Sequence, residues 1–146
     1  MDRTKPADKP RMTRIDVTKL WALNYRLVTS VIVDVAPAVQ ALGIEVKELF
    51  LLAELDDYPN PAGLADRLML PRPTVTGYLK RLESIGLVGR EIDSADLRRY
   101  KLSLTANGRK VMTRGLALLA DAFGERLSRL TAAQAAQFDA LVGKMV

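Results

Sequence analysis

Cysteine and histidine are both absent from the 146 residues. Without cysteine the chain has no disulfide, no thiolate metal ligand and no thiol redox switch. Without either residue it also lacks the usual ligands of zinc and copper, which leaves carboxylates suited only to hard or weakly held cations. We therefore expect no bound metal and no cofactor, and a metal sensor is not expected.

The groups needed for catalysis are also few. Bases and nucleophiles are limited to carboxylates, Lys, Tyr, Ser and Thr, and the sequence has neither a phosphate-binding glycine loop nor a paired-carboxylate motif. The adjacent acids Asp56 and Asp57 fit the polar end of a helix before a turn. We expect that the protein is not an enzyme and has no catalytic residues.

Membrane and export signals are missing as well. Residues 1–14 are polar and basic, unlike a secretory signal or a membrane anchor. No apolar stretch approaches the roughly 20 residues that cross a bilayer. We expect a cytoplasmic protein with no membrane partner, in which residues 1–13 form a flexible basic tail that could contact a phosphate backbone.

The positive charge is concentrated in one third of the chain. The formal net charge is +5, but residues 67–114 hold eleven Lys or Arg against four acids, so this segment carries +7 and the remainder is slightly negative. Such a concentration is typical of a protein that binds a polyanion such as DNA. A soluble surface of mixed charge is the alternative.

The apolar pattern predicts a mainly helical fold. Aromatic residues make up only 5% of the chain, so aliphatic side chains must fill most of the core. Residues 17–35 carry an apolar stripe at three- and four-residue spacing, which predicts a helix that Pro37 and Gly43 help to end. A second helix covers 46–55, and Asn60 and Pro61 begin a short third helix over 62–69.

A second group of elements follows the Pro71-Arg72-Pro73 break. We predict a helix over 72–84, two strands over 87–92 and 99–104, a long helix from Ala106 toward Leu130 and a last helix after the capping box at Thr131. The order is four helices, a β-hairpin and two helices, which is the order of a winged helix-turn-helix with added terminal helices. We assign 14–42 to an N-terminal dimerisation helix, 43–105 to a winged-helix DNA-binding domain and 106–146 to C-terminal dimerisation helices.

The helix over 72–84 has the features of a DNA-recognition helix. It follows a short helix and a sharp turn, carries small polar side chains near its start and has basic residues further along. The candidate DNA contacts on this helix are Arg72, Thr74, Thr76, Gly77, Lys80 and Arg81. Arg suits bidentate contact with guanine, whereas Lys80 and Arg81 are better placed for phosphates. Gly77 either lets DNA approach closely or packs against another helix, and the threonines could instead serve in capping.

The polar segment between the two strands has the composition of a DNA-binding wing. Asp96, Arg98 and Arg99 lie together there. An Arg at the tip of a wing can enter the narrow minor groove, and a nearby carboxylate can hold that Arg or the loop in place. An ordinary charged turn is the alternative.

Taken together, the motifs in residues 70–76, 82–90, 93–99 and 104–108 resemble the MarR family of bacterial regulators. The resemblance covers about residues 60–110 and implies a triangular homodimer that holds two winged helices over a pseudo-palindromic site. It places Arg72, Thr74, Thr76 and Lys80 on the recognition helix, and Asp96 and Arg98 on the wing. The chain departs from the family at Pro71, where a capping Ser is common, and at the Asn60-Pro61 entry to the preceding helix.

The resemblance also implies a regulatory ligand. Many members release DNA when a small aromatic acid binds between the dimer helices and the DNA-binding lobe. Trp21, Tyr25 and Phe50 lie on the corresponding helices, although aromatic residues at helical spacing are often core residues. We therefore expect a DNA-binding transcriptional regulator that acts as a dimeric repressor. The alternatives are a monomer with an enlarged helical core and a winged helix that binds protein instead of DNA.

Overall fold

The computed structural model describes residues 15–146. Its elements are six helices and a two-stranded antiparallel hairpin, and their bounds are α1 Val17–Gln40, α2 Val46–Glu54, α3 Pro61–Leu68, α4 Arg72–Ser84, β1 Val88–Ile92, β2 Tyr100–Leu104, α5 Ala106–Leu127 and α6 Ala132–Gly143. This order confirms the prediction of a mainly helical chain with one small hairpin. The predicted basic tail, residues 1–13, lies outside the described residues.

The predicted capping residues begin their helices as expected. The side chains of Asn60 and Thr105 accept hydrogen bonds from the backbone N–H groups of Gly63 and Gly108, at 2.7 and 2.9 Å. Thr131 forms the predicted capping box with Gln134. These bonds satisfy N–H groups that have no partner inside their helices. The starts of α3, α5 and α6 could therefore be predicted from local sequence alone.

The end of α1 differs from the prediction. Pro37 lies inside the helix, which continues to Gln40, and the turn follows at Gly43 with a φ of +87°. Proline removes one backbone hydrogen bond to the preceding turn. Because the helix has only three more residues, this loss falls near its end and does not stop it earlier.

The hydrophobic core centres on α2. Leu49, Leu51, Leu52 and Leu55 have no exposed surface, and they pack with the C-terminal half of α1 and with α3, α4, α5 and the hairpin. On α5, a Cβ at Gly115 would lie 2.6 Å from Leu49 Cδ1, so the two helices approach as closely as glycine allows. This core fixes the positions of α4 and the hairpin relative to α2.

Two segments contribute little to this core. The N-terminal half of α1 has no buried residue before Val31, and α6 has none at all. Both segments nevertheless present large apolar side chains to solvent: Ile15, Val17, Leu20, Trp21, Leu23, Tyr25 and Val28 on or before α1, and Leu141, Val142, Met145 and Val146 on or after α6. We call these two sets the exposed apolar surface.

The expectation about membrane-spanning stretches was wrong in one respect. By length and composition, α1 is apolar enough to cross a membrane. No uninterrupted run in the sequence revealed this, because charged residues such as Arg26 and Asp34 divide the apolar positions. The C-terminal half of α1 packs on α5 and buries Val31, Val35 and Val39, as the core helix of a folded domain does.

Candidate nucleic-acid interface

The turn between α3 and α4 sets the start of the candidate recognition helix. It passes through Met69, the one non-glycine residue with positive φ (52°) among residues 15–146. Pro71 then occupies the N-cap of α4 without a side-chain cap, as its departure from the family pattern implied. Its carbonyl accepts hydrogen bonds from the N–H groups of Thr74 and Val75, at 3.0 and 3.2 Å. The helix therefore starts at Arg72, the predicted position.

The exposed side of α4 carries four of the six predicted contact residues. Val75, Leu79 and Leu82 are buried, whereas Arg72, Thr76, Gly77 and Lys80 are exposed and share the outward side of the helix. Successive residues are rotated by about 100° around a helix axis, so Arg72, Thr76 and Lys80 fall within an arc of about 80°. These three side chains can approach one surface together.

Thr74 lies apart from this group. It is half-buried, and about 160° around the axis separates it from Thr76. Thr74 and Thr76, which were both predicted to contact DNA, therefore lie on nearly opposite sides of α4. Only Thr76 shares the arc of Arg72 and Lys80.

Arg81 is partly exposed, but its guanidinium is directed toward α2. Its guanidinium forms an ion pair with the carboxylate of Glu48 and donates to the carbonyl of Gly43 at 3.0 Å. This arrangement differs from the phosphate contact predicted from the sequence, because a buried carboxylate already binds the side chain. Sequence reasoning missed Glu48, although its spacing from Leu52 and Leu55 places it on the buried face of α2.

The wing is a compact loop held by its own polar groups. The Asp96 carboxylate accepts a hydrogen bond from the backbone N–H of Arg98 at 3.0 Å, and its other oxygen lies 3.6 Å from Arg99 Nε. Asp93 accepts from the N–H of Ala95 at 2.9 Å. Asp96 therefore shapes the loop and pairs with Arg99, while the guanidinium of Arg98 stays exposed. Asp96 therefore contacts the backbone N–H of Arg98 and not its guanidinium.

The hairpin is attached to the recognition helix. On β1, Arg90 makes two hydrogen bonds to the carboxylate of Glu83 on α4, at 3.0 and 3.1 Å. This contact raises the pKa of the Arg90 guanidinium above its ordinary value. On β2, the N–H of Leu102 donates to the carbonyl of Pro59, just before α3. The helix and the wing thus form one connected lobe.

Nearly half of the eleven basic residues in the segment 67–114 form ion pairs within the protein. The five that bind acids are Arg67, Arg81, Arg90, Arg99 and Arg109. Within residues 15–146 no ion pair is formed by the other six, which are Arg72, Lys80, Arg98, Lys101, Lys110 and Arg114. Four of these unpaired cations lie on α4 or the hairpin. Lys101, an exposed residue of β2, was not singled out from the sequence because strand alternation alone does not identify a DNA contact.

The three predicted ligand residues are not brought together within the chain. Phe50 lines a cavity of about 250 Å³ with Ile32, Val46, Lys47, Leu68 and Leu70, between α1, α2 and the turn before α4. Trp21 and Tyr25 are 69% and 62% exposed. They precede Ile32 by eleven and seven residues, which is about 16 and 10 Å along a helix. They belong to the exposed apolar surface.

Comparison with known proteins gives consistent results. A model described as the MarR family matches residues 45–100. Over 132 residues the chain is 30% identical to the HTH-type transcriptional repressor Rv2887 of Mycobacterium tuberculosis, covering 89% of this chain and 95% of that protein. It is similar to the structure of the Mycobacterium tuberculosis protein in complex with salicylic acid, with a TM-score of 0.72, 29% identity and coverage of 87% and 96%. A structure of that protein in complex with DNA gives a TM-score of 0.72 at 28% identity, with coverage of 86% and 96%.

Proposed function

The chain belongs to the MarR family of transcriptional regulators, and on that premise we propose that it represses transcription by binding a pseudo-palindromic DNA operator as a homodimer. Its similarity to a repressor whose structure was determined with DNA supports this proposal. We also propose that the protein acts in the cytoplasm, the compartment that holds the DNA of bacteria such as Mycobacterium tuberculosis.

The observation that carries the proposal is the set of unpaired cations on one lobe. Arg72 and Lys80 lie on the exposed side of α4, and Arg98 and Lys101 lie on the hairpin attached to it. The neighbouring arginines Arg67, Arg81, Arg90 and Arg99 are paired with acids, whereas these four cations form no ion pair within residues 15–146. In the proposed complex Arg72 and Thr76 contact base edges, Lys80 binds phosphate and Arg98 enters the minor groove.

The exposed apolar surface supports the dimer. A stripe that includes Trp21 and Tyr25 on α1, together with Leu141 on α6, is larger than the scattered apolar exposure usual for a monomer. A second copy would cover it. A two-fold dimer also presents two recognition helices to half-sites about one DNA turn apart, which is why operators of such proteins are palindromic.

The cavity beside Phe50 supports a ligand site. Its walls are apolar except for Lys47, so an aromatic ring could pack on Phe50 while a carboxylate binds the Lys47 ammonium. The structure of the similar repressor with salicylic acid favours this ligand class. We propose that a small aromatic acid binds here and releases DNA. Trp21 and Tyr25 then serve in dimerisation.

Fluorescence anisotropy tests the DNA-binding surface. An operator is first selected from random duplexes, and its affinity is then measured at several salt concentrations for the wild type and for Arg72→Ala and Arg98→Ala. We expect Arg72→Ala to cost about 1–3 kcal/mol and to relax preference at one base pair. We expect Arg98→Ala to weaken binding and, because one cation is lost from the minor groove, to reduce the magnitude of the salt slope by up to about 0.9.

Arg114→Ala is the matched control, because it removes one exposed positive charge from α5, outside α4, the hairpin and the exposed apolar surface, and should leave both quantities unchanged. If both arginine variants kept the wild-type affinity and slope, the proposed surface would be wrong. A wild type without salt-dependent binding to any duplex would instead fit a winged helix that contacts protein.

A further inference from the structure

Glu48 is the only charged residue buried in the part of the chain that the structure describes, with 1% of its surface exposed. Burying a carboxylate is unfavourable unless it is paired and hydrogen-bonded. The fold could have placed an apolar residue here at no electrostatic cost. The buried carboxylate of Glu48 must therefore be stabilised by the groups that it contacts.

Its contacts join three segments that are distant in sequence. Glu48 Oε2 accepts a hydrogen bond from the N–H of Glu45 at 2.8 Å, at the start of α2, and forms an ion pair with Arg81 of α4. The second terminal nitrogen of Arg81 donates to the carbonyl of Gly43 in the turn after α1. A single guanidinium–carboxylate pair thus connects the recognition helix to α2 and to the turn before it.

The other contacts of α4 with the core are mainly apolar. Val75, Leu79 and Leu82 are buried by the hydrophobic effect, which is not directional. The ion pair is directional, and it acts at about 180° around the axis from Arg72 and about 140° from Thr76. A rotation of α4 by about 20° would move a side chain 6 Å from the axis by about 2 Å. That displacement exceeds the tolerance of a hydrogen bond to a base edge.

We propose that Glu48 and Arg81 are positioning residues for sequence recognition. Their ion pair fixes the rotation of α4, and so sets where Arg72 and Thr76 meet the bases, without either partner touching DNA. This inference rests on the proposed function, because it assumes that α4 reads DNA. Contacts to phosphates tolerate such a rotation better than contacts to base edges do, so the pair should affect discrimination between sequences more than overall affinity.

The test compares Glu48→Gln with Glu54→Gln. Both substitutions remove one carboxylate from α2, and each disrupts one ion pair. Glu54 pairs with Arg67 of α3, away from α4, with 26% of its side chain exposed. Anisotropy gives the affinity of each variant for the selected operator and for a random duplex of the same length. We expect Glu48→Gln to lower the operator-to-random affinity ratio about tenfold, the size of one lost base contact, and Glu54→Gln to leave it within about twofold.

Reduced stability alone would lower both affinities by the same factor and leave their ratio unchanged. A wild-type ratio for folded Glu48→Gln therefore overturns the inference. Arg81→Lys provides a second measurement if Glu48→Gln does not fold. It keeps a cation beside Glu48 but loses the planar fork that also reaches Gly43, so the ratio should fall about threefold. An unchanged ratio for Arg81→Lys would also overturn the inference. Failure of the wild type itself to prefer any selected duplex would instead refute the proposed function.

Discussion

We expect the Gly77→Ala substitution to raise the stability of the protein and to weaken its binding to DNA. Gly77 lies in the middle of α4 on the exposed side, and a Cβ there would have no atom within 4 Å apart from the neighbouring backbone of α4 itself. Among residues 15–146 this excludes packing against another helix, one of the two explanations open from the sequence. Alanine is favoured over glycine inside a helix by about 0.8–1.0 kcal/mol, so the variant should be more stable by about that amount. Its midpoint of thermal unfolding should rise by about 2–4 °C.

We expect the same methyl group to weaken DNA binding. It extends about 1.5 Å from the helix backbone on the exposed side of α4, about 60° around the axis from Lys80. If the backbone of α4 approaches DNA closely at Gly77, the complex must shift to accommodate the methyl group, at a cost of about 1–3 kcal/mol. That cost corresponds to an affinity about 5- to 150-fold lower in anisotropy titrations. The substitution would then stabilise the free protein while weakening its complex.

Gly124→Ala is the matched control. Gly124 also lies inside a helix with no atom within 4 Å of an added Cβ, but it is on α5. It should give a similar gain in stability with unchanged DNA affinity. If Gly77→Ala bound the operator as tightly as Gly124→Ala, the close approach of DNA to this residue would be refuted.

Two further predictions concern the start of α5 and the cavity beside Phe50. A Cβ at Gly108 would lie 1.9 Å from the carbonyl oxygen of Leu87, so Gly108→Ala should lower stability by about 2 kcal/mol or more. Thermal unfolding measures this, and an unchanged midpoint would show that α5 does not pack on Leu87, just before β1, at this distance. Salicylate should dissociate the operator complex, and Lys47→Ala should raise the concentration needed for half-release about tenfold through loss of one charge-assisted contact. If Lys47→Ala and the control Arg114→Ala needed the same salicylate concentration for half-release, the proposed role of Lys47 would be wrong.

Local sequence signals predicted the elements, because their causes lie within a few residues. Asn60, Thr105 and Thr131 cap helices through bonds to N–H groups three positions later. The proline-rich break at 71–73 correctly marked the start of α4, and apolar spacing identified its buried side. The periodicity of a single segment is sufficient for such predictions.

The direction of individual side chains depended on partners far along the chain. Arg81 was predicted to face DNA because it is basic and near the end of the recognition helix, but its partner Glu48 is 33 residues away. Trp21 and Phe50 were grouped by resemblance, whereas the length of α1 separates Trp21 from the cavity that Phe50 lines. Neither the ion pair nor this separation can be read from the spacing of residues within one helix.

The exposure of the N-terminal half of α1 affects the stability of this part of the helix. From Val17 to Ser30 the helix has no buried residue, and an isolated helical segment of about this length is only marginally stable in water. If a second copy covers this segment, its order depends on assembly, and mass action then links folding to the amount of protein present. The unfolding temperature would rise with protein concentration, and dilution below the dimer dissociation constant would fray α1 from its N-terminus.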